Sequence, residues 1–137
     1  MALKKSCKQL VEEANTKIQT LSFDEARTKL GQANVQFVDI RDVRELEREG
    51  TIPGAMHAPR GMLEFWIDPE SPYFKPVFTE NKQFILFCQS GWRSALATAA
   101  LQDMGLSGVC HIEGGYGNWK KSDGPTQAKE KKHNDKA

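Results

Sequence analysis

The feature that most constrains this chain is an apolar run that ends at a cysteine and leads through a short loop into a helix-forming segment. Residues 84–87 read Phe-Ile-Leu-Phe and are followed directly by Cys88. Gly91 lies in the loop, and the alanine-rich segment 93–104 predicts a helix. Backbone N–H groups of such a loop and the positive end of the helix converge, so the arrangement stabilises an anion. For a cysteine that anion is the reactive thiolate, which makes Cys88 the first candidate for a catalytic residue.

The local pattern leaves two interpretations of this cysteine open. A buried cysteine at a strand end also serves as a small hydrophobic side chain. The spacing Cys-x-x-Gly-x-Arg, from Cys88 to Arg93, favours a functional thiol, although loops of this kind also serve phosphate and arsenate chemistry. The Arg93 guanidinium is a fixed cation, and the sequence leaves open whether it faces the sulfur, a substrate oxyanion or an acidic neighbour.

Composition is typical of a soluble protein with one domain. The 137 residues are 39% hydrophobic and 27% charged, and the formal net charge is +1. That charge gives no general attraction to nucleic acid or to an anionic membrane. No apolar run approaches the roughly 20 residues of a membrane-spanning helix, and the N-terminus lacks the apolar segment of a secretory signal. Three cysteines do not make a disulfide framework, so we expect a cytoplasmic protein that binds neither nucleic acid nor membrane.

Strand-like and helix-like segments alternate along the chain, which predicts an α/β domain with a mainly parallel sheet. In such sheets ligands bind beyond the carboxyl ends of the strands, where Cys88 lies. We expect a helical extension over residues 1–20, one domain over 21–125 and a disordered lysine-rich tail over 126–137. The predicted strands are 35–40, 56–58, 83–88 and 108–112, and the predicted helices begin near residues 10, 22, 42, 62, 93 and 114.

Three ordered motifs carry a family resemblance. Residues 88–93 read Cys-Gln-Ser-Gly-Trp-Arg, residues 38–42 and 50–55 flank Glu45, and residues 114–119 read Gly-Gly-Tyr-Gly-Asn-Trp. The first resembles the active-site loop of the single-domain rhodaneses, the thiosulfate sulfurtransferases. The second resembles the N-terminal signature of that family, usually written D-V-R-E…G-H-I-P-G-A, and the third resembles its C-terminal signature. The motifs follow the family's order with the cysteine between the other two.

The resemblance implies a rhodanese-like fold, with a five-stranded, mostly parallel sheet flanked by helices, and a two-step sulfur transfer. The Cys88 thiolate attacks the outer sulfur of a donor such as thiosulfate, which releases sulfite and leaves a persulfide on Cys88. A thiol, a dithiol protein or cyanide then accepts that sulfur, and the chemistry needs no metal or organic cofactor. The loop implied to hold the anionic sulfur consists of Gln89, Ser90, Gly91, Trp92 and Arg93.

Loop length distinguishes members of this superfamily. Rhodaneses resemble this chain in having six residues from Cys88 to Arg93, whereas related dual-specificity phosphatases and arsenate reductases have one more. A sulfurtransferase is therefore favoured over an oxyanion enzyme.

Two departures from the family pattern bear on the sulfur donor. Many thiosulfate-using members carry a cation directly after the cysteine, where this chain has Gln89, and Trp92 adds apolar surface. Both departures weaken the case for a small dianion as the best donor and leave an organic or protein-bound persulfide open. Thr51 also replaces the usual histidine of the family.

A second function from another class remains open beside the enzyme. In this alternative the domain is a sulfur carrier or sensor, in which Cys88 accepts a persulfide and passes it to one protein partner without turnover. Negligible activity with thiosulfate and cyanide, together with stoichiometric labelling of Cys88, would favour it.

Three charged residues are supporting candidates for the site. Asp39 and Arg41 close a predicted strand at the same edge as Cys88, and we expect a buried network that ties loops together in preference to direct contact with substrate. Arg60 follows Pro59 and lies within reach of the pocket, although a surface position is expected. Tyr116, Trp119 and Cys110 are expected in the core, His57 and His111 in structural roles, and Cys7 on an exposed helix.

Overall fold

The computed structural model describes residues 2–130, in which a five-stranded sheet carries helices on both faces. The strand order is β1-β5-β4-β2-β3, and every neighbouring pair is parallel. This confirms the predicted α/β fold with a five-stranded, mostly parallel sheet. The strands are β1 (Gln19–Leu21), β2 (Val35–Asp39), β3 (Met56–His57), β4 (Gln83–Phe87) and β5 (Val109–Ile112).

Within residues 2–130, six α-helices connect and cover these strands, and side chains cap the first three. The side chains of Ser6, Ser22 and Asp42 each accept a hydrogen bond from a backbone N–H of the first helical turn. In each case a Gln or Glu side chain of that turn accepts from the backbone N–H of the cap residue. Such reciprocal caps satisfy N–H groups that have no partner inside the helix. The helices are α1 (Cys7–Lys17), α2 (Phe23–Lys29), α3 (Val43–Glu49), α4 (Leu63–Ile67), α5 (Trp92–Asp103) and α6 (Gly115–Lys121).

Strand β4 lies in the centre of the sheet and is buried on both faces. Phe84 and Leu86 face one apolar core, and Ile85 and Phe87 face the other, as the two-residue period of a strand requires. Cys88 continues the first set and shares its core with residues of α5. The strand therefore delivers the thiol to the sheet face that α5 covers.

Strand β1 was not among the strands read from the sequence. Two of its three residues are exposed, so it shows no apolar run, and only its parallel pairing with β5 makes it a strand. It lies across the expected boundary between residues 20 and 21.

Helix α1 packs on the helix that follows the cysteine loop. Val11 and Ala14 are buried against Ala95 of α5, and the side-chain amide of Gln102 donates to the carbonyl of Lys17 at 2.9 Å. The N-terminal extension therefore lies against the domain.

The segment expected to be a disordered tail begins with a residue that is hydrogen-bonded to the domain. Gln127 and Thr51 exchange two backbone hydrogen bonds of 2.8 and 2.9 Å in an antiparallel bridge, although the tail was expected to start at residue 126. The rest of that expectation, over residues 131–137, lies outside the described residues. Within residues 2–130 no helix has the length and apolar character that crossing a membrane requires.

Candidate active site around Cys88

Cys88 is the first residue after β4, and its sulfur accepts two backbone hydrogen bonds. The N–H of Gly91 lies 3.2 Å from Sγ, and the N–H of Ser94 lies 3.3 Å from it. Gly91 has φ of +101°, a conformation that favours glycine and turns the chain into α5. The Cys88 residue has no exposed surface. Two amide dipoles and the N-terminus of a 12-residue helix therefore stabilise negative charge on this sulfur.

Side chains continue the hydrogen bonding behind the sulfur. The Sγ of Cys88 lies 3.5 Å from Oγ of Ser94, and that hydroxyl lies 2.8 Å from Nδ1 of His111. On the other side of the ring, Nε2 lies 3.2 Å from both Oδ1 of Asn15 and Oγ1 of Thr20. Burial lowers the pKa of His111 to about 4, so its ring is neutral at neutral pH.

The glycine-rich first turn of α6 holds the cysteine loop in place. The carbonyl of Cys88 accepts from the N–H of Tyr116 at 2.8 Å, and the carbonyl of Gln89 accepts from the N–H of Gly117 at 3.0 Å. Gly115 lies so close that a Cβ atom there would be 2.5 Å from the Cys88 carbonyl oxygen. Only glycine allows this approach of the two backbones. Tyr116 and Trp119 are fully buried, as expected for core residues.

The predicted network of Asp39 and Arg41 is present and ties three loops together. Both side chains are fully buried, and the guanidinium donates to the two carboxylate oxygens at 3.0 and 2.8 Å. Its remaining N–H groups reach Oε1 of Gln89 at 3.0 Å and the carbonyl of Gly50 at 2.8 Å. The hydroxyl of Thr51, which replaces the usual histidine of the motif, donates to Asp39 at 2.7 Å. Gln89 is therefore held by a buried cation instead of pointing freely at a substrate.

Arg93 makes its hydrogen bonds to Glu45, an acidic neighbour from α3. The Nη1–Oε2 and Nη2–Oε1 distances are 2.9 and 3.1 Å. The hydrogen bond from Arg93 lowers the pKa of Glu45, and the same bond raises the pKa of Arg93. Of the three partners that the sequence left open, the structure gives Arg93 the carboxylate.

Arg60 pairs with Glu64 one helical turn away, at 2.9 Å, with both side chains about one-third exposed. None of its hydrogen bonds to described residues reaches the cysteine loop. Arg60 therefore occupies the surface position that was expected for it.

Two clefts flank the cysteine loop. Ser90, Gly91 and Trp92 form one wall of the first, and α1 and the segment after β5 form the other walls with Asn15 and Glu113. The Trp92 side chain remains 47% exposed at this rim. The second cleft lies on the Gln89 side of the loop and is bordered by residues of α6, among them Asn118, Lys120 and Lys121.

Several residues around the sulfur were not foreseen as parts of the site. Ser94 lies one residue beyond the predicted loop, and His111 had been given a structural role. Ser94 is six residues from Cys88, but the hydrogen-bond partners of His111 are 17 to 96 residues away along the chain, so sequence spacing carries no signal for the part of the network that includes the histidine. Glu45 belonged to the N-terminal motif, and that membership was the one available sign of its importance. Among residues 2–130 no group of three His, Cys, Asp or Glu side chains is placed to hold a metal ion.

Comparisons with known proteins agree with this geometry. The sequence model of the rhodanese-like domain matches residues 22–122. A human thiosulfate:glutathione sulfurtransferase is 31% identical over 106 residues, which cover 73% of this chain and 91% of the relative. A solved structure from Rhodopseudomonas palustris, described as a protein of unknown function and possible tyrosine phosphatase, is 50% identical with a TM-score of 0.89. The match covers 93% of this chain and 98% of that one. The polysulfide-sulfur transferase homodimer of Wolinella succinogenes is 25% identical with a TM-score of 0.67, covering 93% and 91%. The chain belongs to the rhodanese family.

Proposed function

We propose that this protein is a sulfurtransferase that carries sulfane sulfur as a persulfide on Cys88. The observation that carries the proposal is the pair of backbone N–H groups, from Gly91 and Ser94, that donate to a fully buried Sγ. Donors fixed at this position favour a sulfur anion over a neutral thiol, because charge-assisted hydrogen bonds are the stronger ones. The same donors are available to the anionic persulfide after transfer.

The reaction proceeds in two displacements at sulfur. The Cys88 thiolate forms a bond to the outer sulfur of the donor, and the old sulfur–sulfur bond breaks with its electron pair leaving on the donor fragment. With thiosulfate that fragment is sulfite. An acceptor thiolate then forms a bond to the outer sulfur of the Cys88 persulfide, and the Cys88 thiolate leaves. Electrons balance without an external oxidant or reductant.

An organic or protein-bound persulfide is the donor that the charges of the site favour. Gln89 stands after the cysteine and is bound by Arg41, whose charge is already paired with Asp39. The charge of Arg93 is paired with Glu45. Both cations are thus partly compensated, which weakens the attraction for a small dianion such as thiosulfate. The human relative named for thiosulfate and glutathione supports a low-molecular-weight thiol as the acceptor. A reducing cytoplasm is the compartment in which the free Cys88 would persist.

The experiment that tests this proposal is a sulfur-transfer assay with thiosulfate and with glutathione persulfide, each with cyanide or glutathione as acceptor. Wild-type protein should turn over, and Cys88→Ser should lose turnover completely while it keeps its unfolding midpoint. Cys110→Ser is the matched control, because that thiol is also buried but burial raises its pKa to about 11. Retained transfer by Cys88→Ser would contradict the proposal.

The carrier alternative is favoured by one observation, the complete burial of Cys88. Residues of the loop must shift before a donor reaches Sγ, and a specific protein partner could supply that opening. In this case Cys88 would be labelled stoichiometrically, while small donors and acceptors would give negligible turnover. A putative sulfur carrier of Bacillus subtilis, 25% identical over 108 residues, supports keeping this alternative.

A phosphatase is the remaining candidate, and the Rhodopseudomonas relative is the reason to test it. The pairing of Arg93 with Glu45 speaks against it, because this guanidinium is then not free to bind a phosphate. Cys88-dependent hydrolysis of a generic aryl phosphate would support phosphatase activity, and the absence of such hydrolysis would exclude it.

A further inference from the structure

A continuous line of hydrogen-bonding groups leads from the buried sulfur to the protein surface, and the sulfur transfer described above does not use it. It starts at Sγ of Cys88 and passes through Oγ of Ser94, at 3.5 Å, to Nδ1 of His111, at 2.8 Å. It ends at Asn15 and Thr20, each 3.2 Å from Nε2 of the ring. Cys88 and Ser94 have no exposed surface and His111 is 3% exposed, whereas Asn15 and Thr20 are exposed.

The donor and acceptor roles along this line of hydrogen bonds follow from its outer end, at Asn15. The Oδ1 atom of Asn15 only accepts hydrogen bonds, so Nε2 of His111 carries the hydrogen that it receives. In a neutral ring Nδ1 is then a bare lone pair, and the hydroxyl of Ser94 donates to it. The Ser94 oxygen is left with lone pairs directed at Cys88, where the S–H group donates. The S–H group of Cys88 and the hydroxyl of Ser94 thus both donate toward the histidine, and the ring N–H donates outward to Asn15.

We propose that His111 accepts the Cys88 proton through the hydroxyl of Ser94. The S–H bond breaks and its electron pair stays on Sγ. The proton forms a new O–H bond on Ser94 as the former hydroxyl proton forms an N–H bond at Nδ1 of His111. Ser94 remains neutral, and the products are a thiolate and an imidazolium whose Nε2–H is bound to Asn15. The thiolate then accepts the Ser94 hydroxyl in addition to its two backbone donors.

This inference deepens the proposed function, because a thiolate is the species that attacks the donor. Ser94 contacts the reacting sulfur, while His111 acts through Ser94 and is a positioning residue with a proton-accepting role. The imidazolium can return its proton to water at the exposed edge formed by Asn15 and Thr20. The neutral ring has a bare Nδ1 lone pair to take the proton, and the negative charge of the thiolate that forms nearby offsets the burial that lowers the pKa of His111.

The side chains beside the His111 ring carry no charge. The neighbours are Asn15 from α1, Thr20 from β1, Ser94 from α5 and Leu86 from β4, and none of these ionises. Glu113, from the segment after β5, is the charged side chain on the wall of the same cleft.

The test is the rate of Cys88 alkylation by iodoacetamide across pH, followed by mass spectrometry of the Cys88 peptide from the full chain. Peptide resolution is needed because Cys7 is exposed and also reacts. His111→Asn is the informative variant, since its amide oxygen can still accept from Ser94 but cannot take a proton. We expect this variant to react on the order of tenfold more slowly at pH 7, with a rate profile shifted to higher pH.

Three further variants complete the design. Ser94→Ala should slow alkylation as His111→Asn does, and the double variant should be no slower than the slower single one, because both residues act in one line. Thr98→Val is the control, since it removes another buried hydroxyl of α5, one that has no hydrogen-bond partner among the described residues. Its alkylation profile should match that of the wild type.

Substitutions at the exposed end keep the proposal testable even where a core variant fails to fold. Asn15→Asp places a carboxylate on Nε2–H and should raise the alkylation rate at pH 7, while Asn15→Leu should lower it. A wild-type profile in His111→Asn, or equal rates in the two Asn15 variants, would overturn the proposal. Alkylation needs no sulfur donor, so a failure of sulfur transfer with this pattern intact would count against the proposed function alone.

Discussion

Arg93 and Glu45 form an ion pair with two hydrogen bonds, of 2.9 and 3.1 Å, that joins the start of α5 to the first turn of α3. Glu45 also accepts from the backbone N–H of Asp42 and so caps its own helix. The cation that ends the cysteine loop is therefore fixed and partly neutralised by a neighbouring helix. Its strength as an anion-binding group depends on that carboxylate.

Removing the carboxylate should increase the attraction of the site for an anionic donor. In Glu45→Gln the charge of Arg93 is no longer offset, so we expect KM for thiosulfate to fall a few-fold and Arg93→Ala to raise it by a similar factor. The pair is partly exposed, so neither change should cost more than about 1 kcal/mol of unfolding free energy. Glu64→Gln, which breaks the surface pair with Arg60, is the matched control for steady-state kinetics. An unchanged KM in Glu45→Gln would show that Arg93 does not act on the donor.

Breaking the buried pair of Asp39 and Arg41 should be far more costly. Asp39→Asn leaves a buried guanidinium without its counter-charge, a change that typically costs about 3–5 kcal/mol. We expect this loss in urea unfolding, together with reduced sulfur transfer, because Gln89 depends on Arg41 for its position.

The chain offers a control with the same sequence spacing. Asp42 and Arg44 form an exposed pair, and Arg44→Ala should leave the unfolding midpoint nearly unchanged. Equal losses in Asp39→Asn and Arg44→Ala would contradict the structural role given to the buried pair.

A methyl group at Gly115 should disturb the cysteine loop directly. Its Cβ would lie 2.5 Å from the carbonyl oxygen of Cys88, so the loop backbone must move. We expect Gly115→Ala to lose sulfur transfer on the order of 100-fold, since small displacements of reacting groups have effects of this size. Gly31→Ala is the control: φ there is +89° and nothing lies within 4 Å, so it carries backbone strain of about 1–2 kcal/mol without a clash. Full activity in Gly115→Ala would show that the loop tolerates the shift.

Protonation of His111 should contribute a pH-dependent loss of stability. Burial lowers its folded pKa to about 4 from the ordinary 6.5, so the unfolded chain takes up the proton first. The contribution of the neutral ring is complete above pH 6.5 and is lost as the pH falls toward 4, by about 3 kcal/mol in total. Urea unfolding at pH 7 and pH 4 should show this loss in the wild type beyond that of His111→Asn. Equal losses in the two proteins would place the folded pKa of His111 near its ordinary value.

Secondary-structure elements could be predicted from the sequence where an apolar run or a helix-capping residue gives a local signal. Phe84 to Phe87 are buried on alternating faces as a central strand must be, and α2 begins near residue 22 as expected, with Ser22 as its cap. Strand β1 could not be read, because Gln19 and Thr20 are polar and exposed and it exists through pairing with residues about 90 positions away.

The residues of the candidate site likewise fall into those that a sequence motif predicts and those that only the fold brings together. Cys88 and Gly91 are neighbours along the chain, and a motif is enough to bring them together. His111 reaches the sulfur through Ser94, and this follows only from the parallel register of β5 and the placement of α5 against it. The pairing of Arg93 with Glu45 likewise needs the packing of α3 beside the loop.

The central claim, that Cys88 carries sulfane sulfur, is tested most directly by mass spectrometry of the purified protein before and after incubation with thiosulfate or glutathione persulfide under non-reducing conditions. We predict one added sulfur atom on the peptide that contains Cys88, its removal by cyanide, and none on that peptide in Cys88→Ser. The claim would be contradicted if neither donor added sulfur to Cys88. It would also be contradicted if Cys7 were the only labelled residue and were labelled equally in the wild type and in Cys88→Ser.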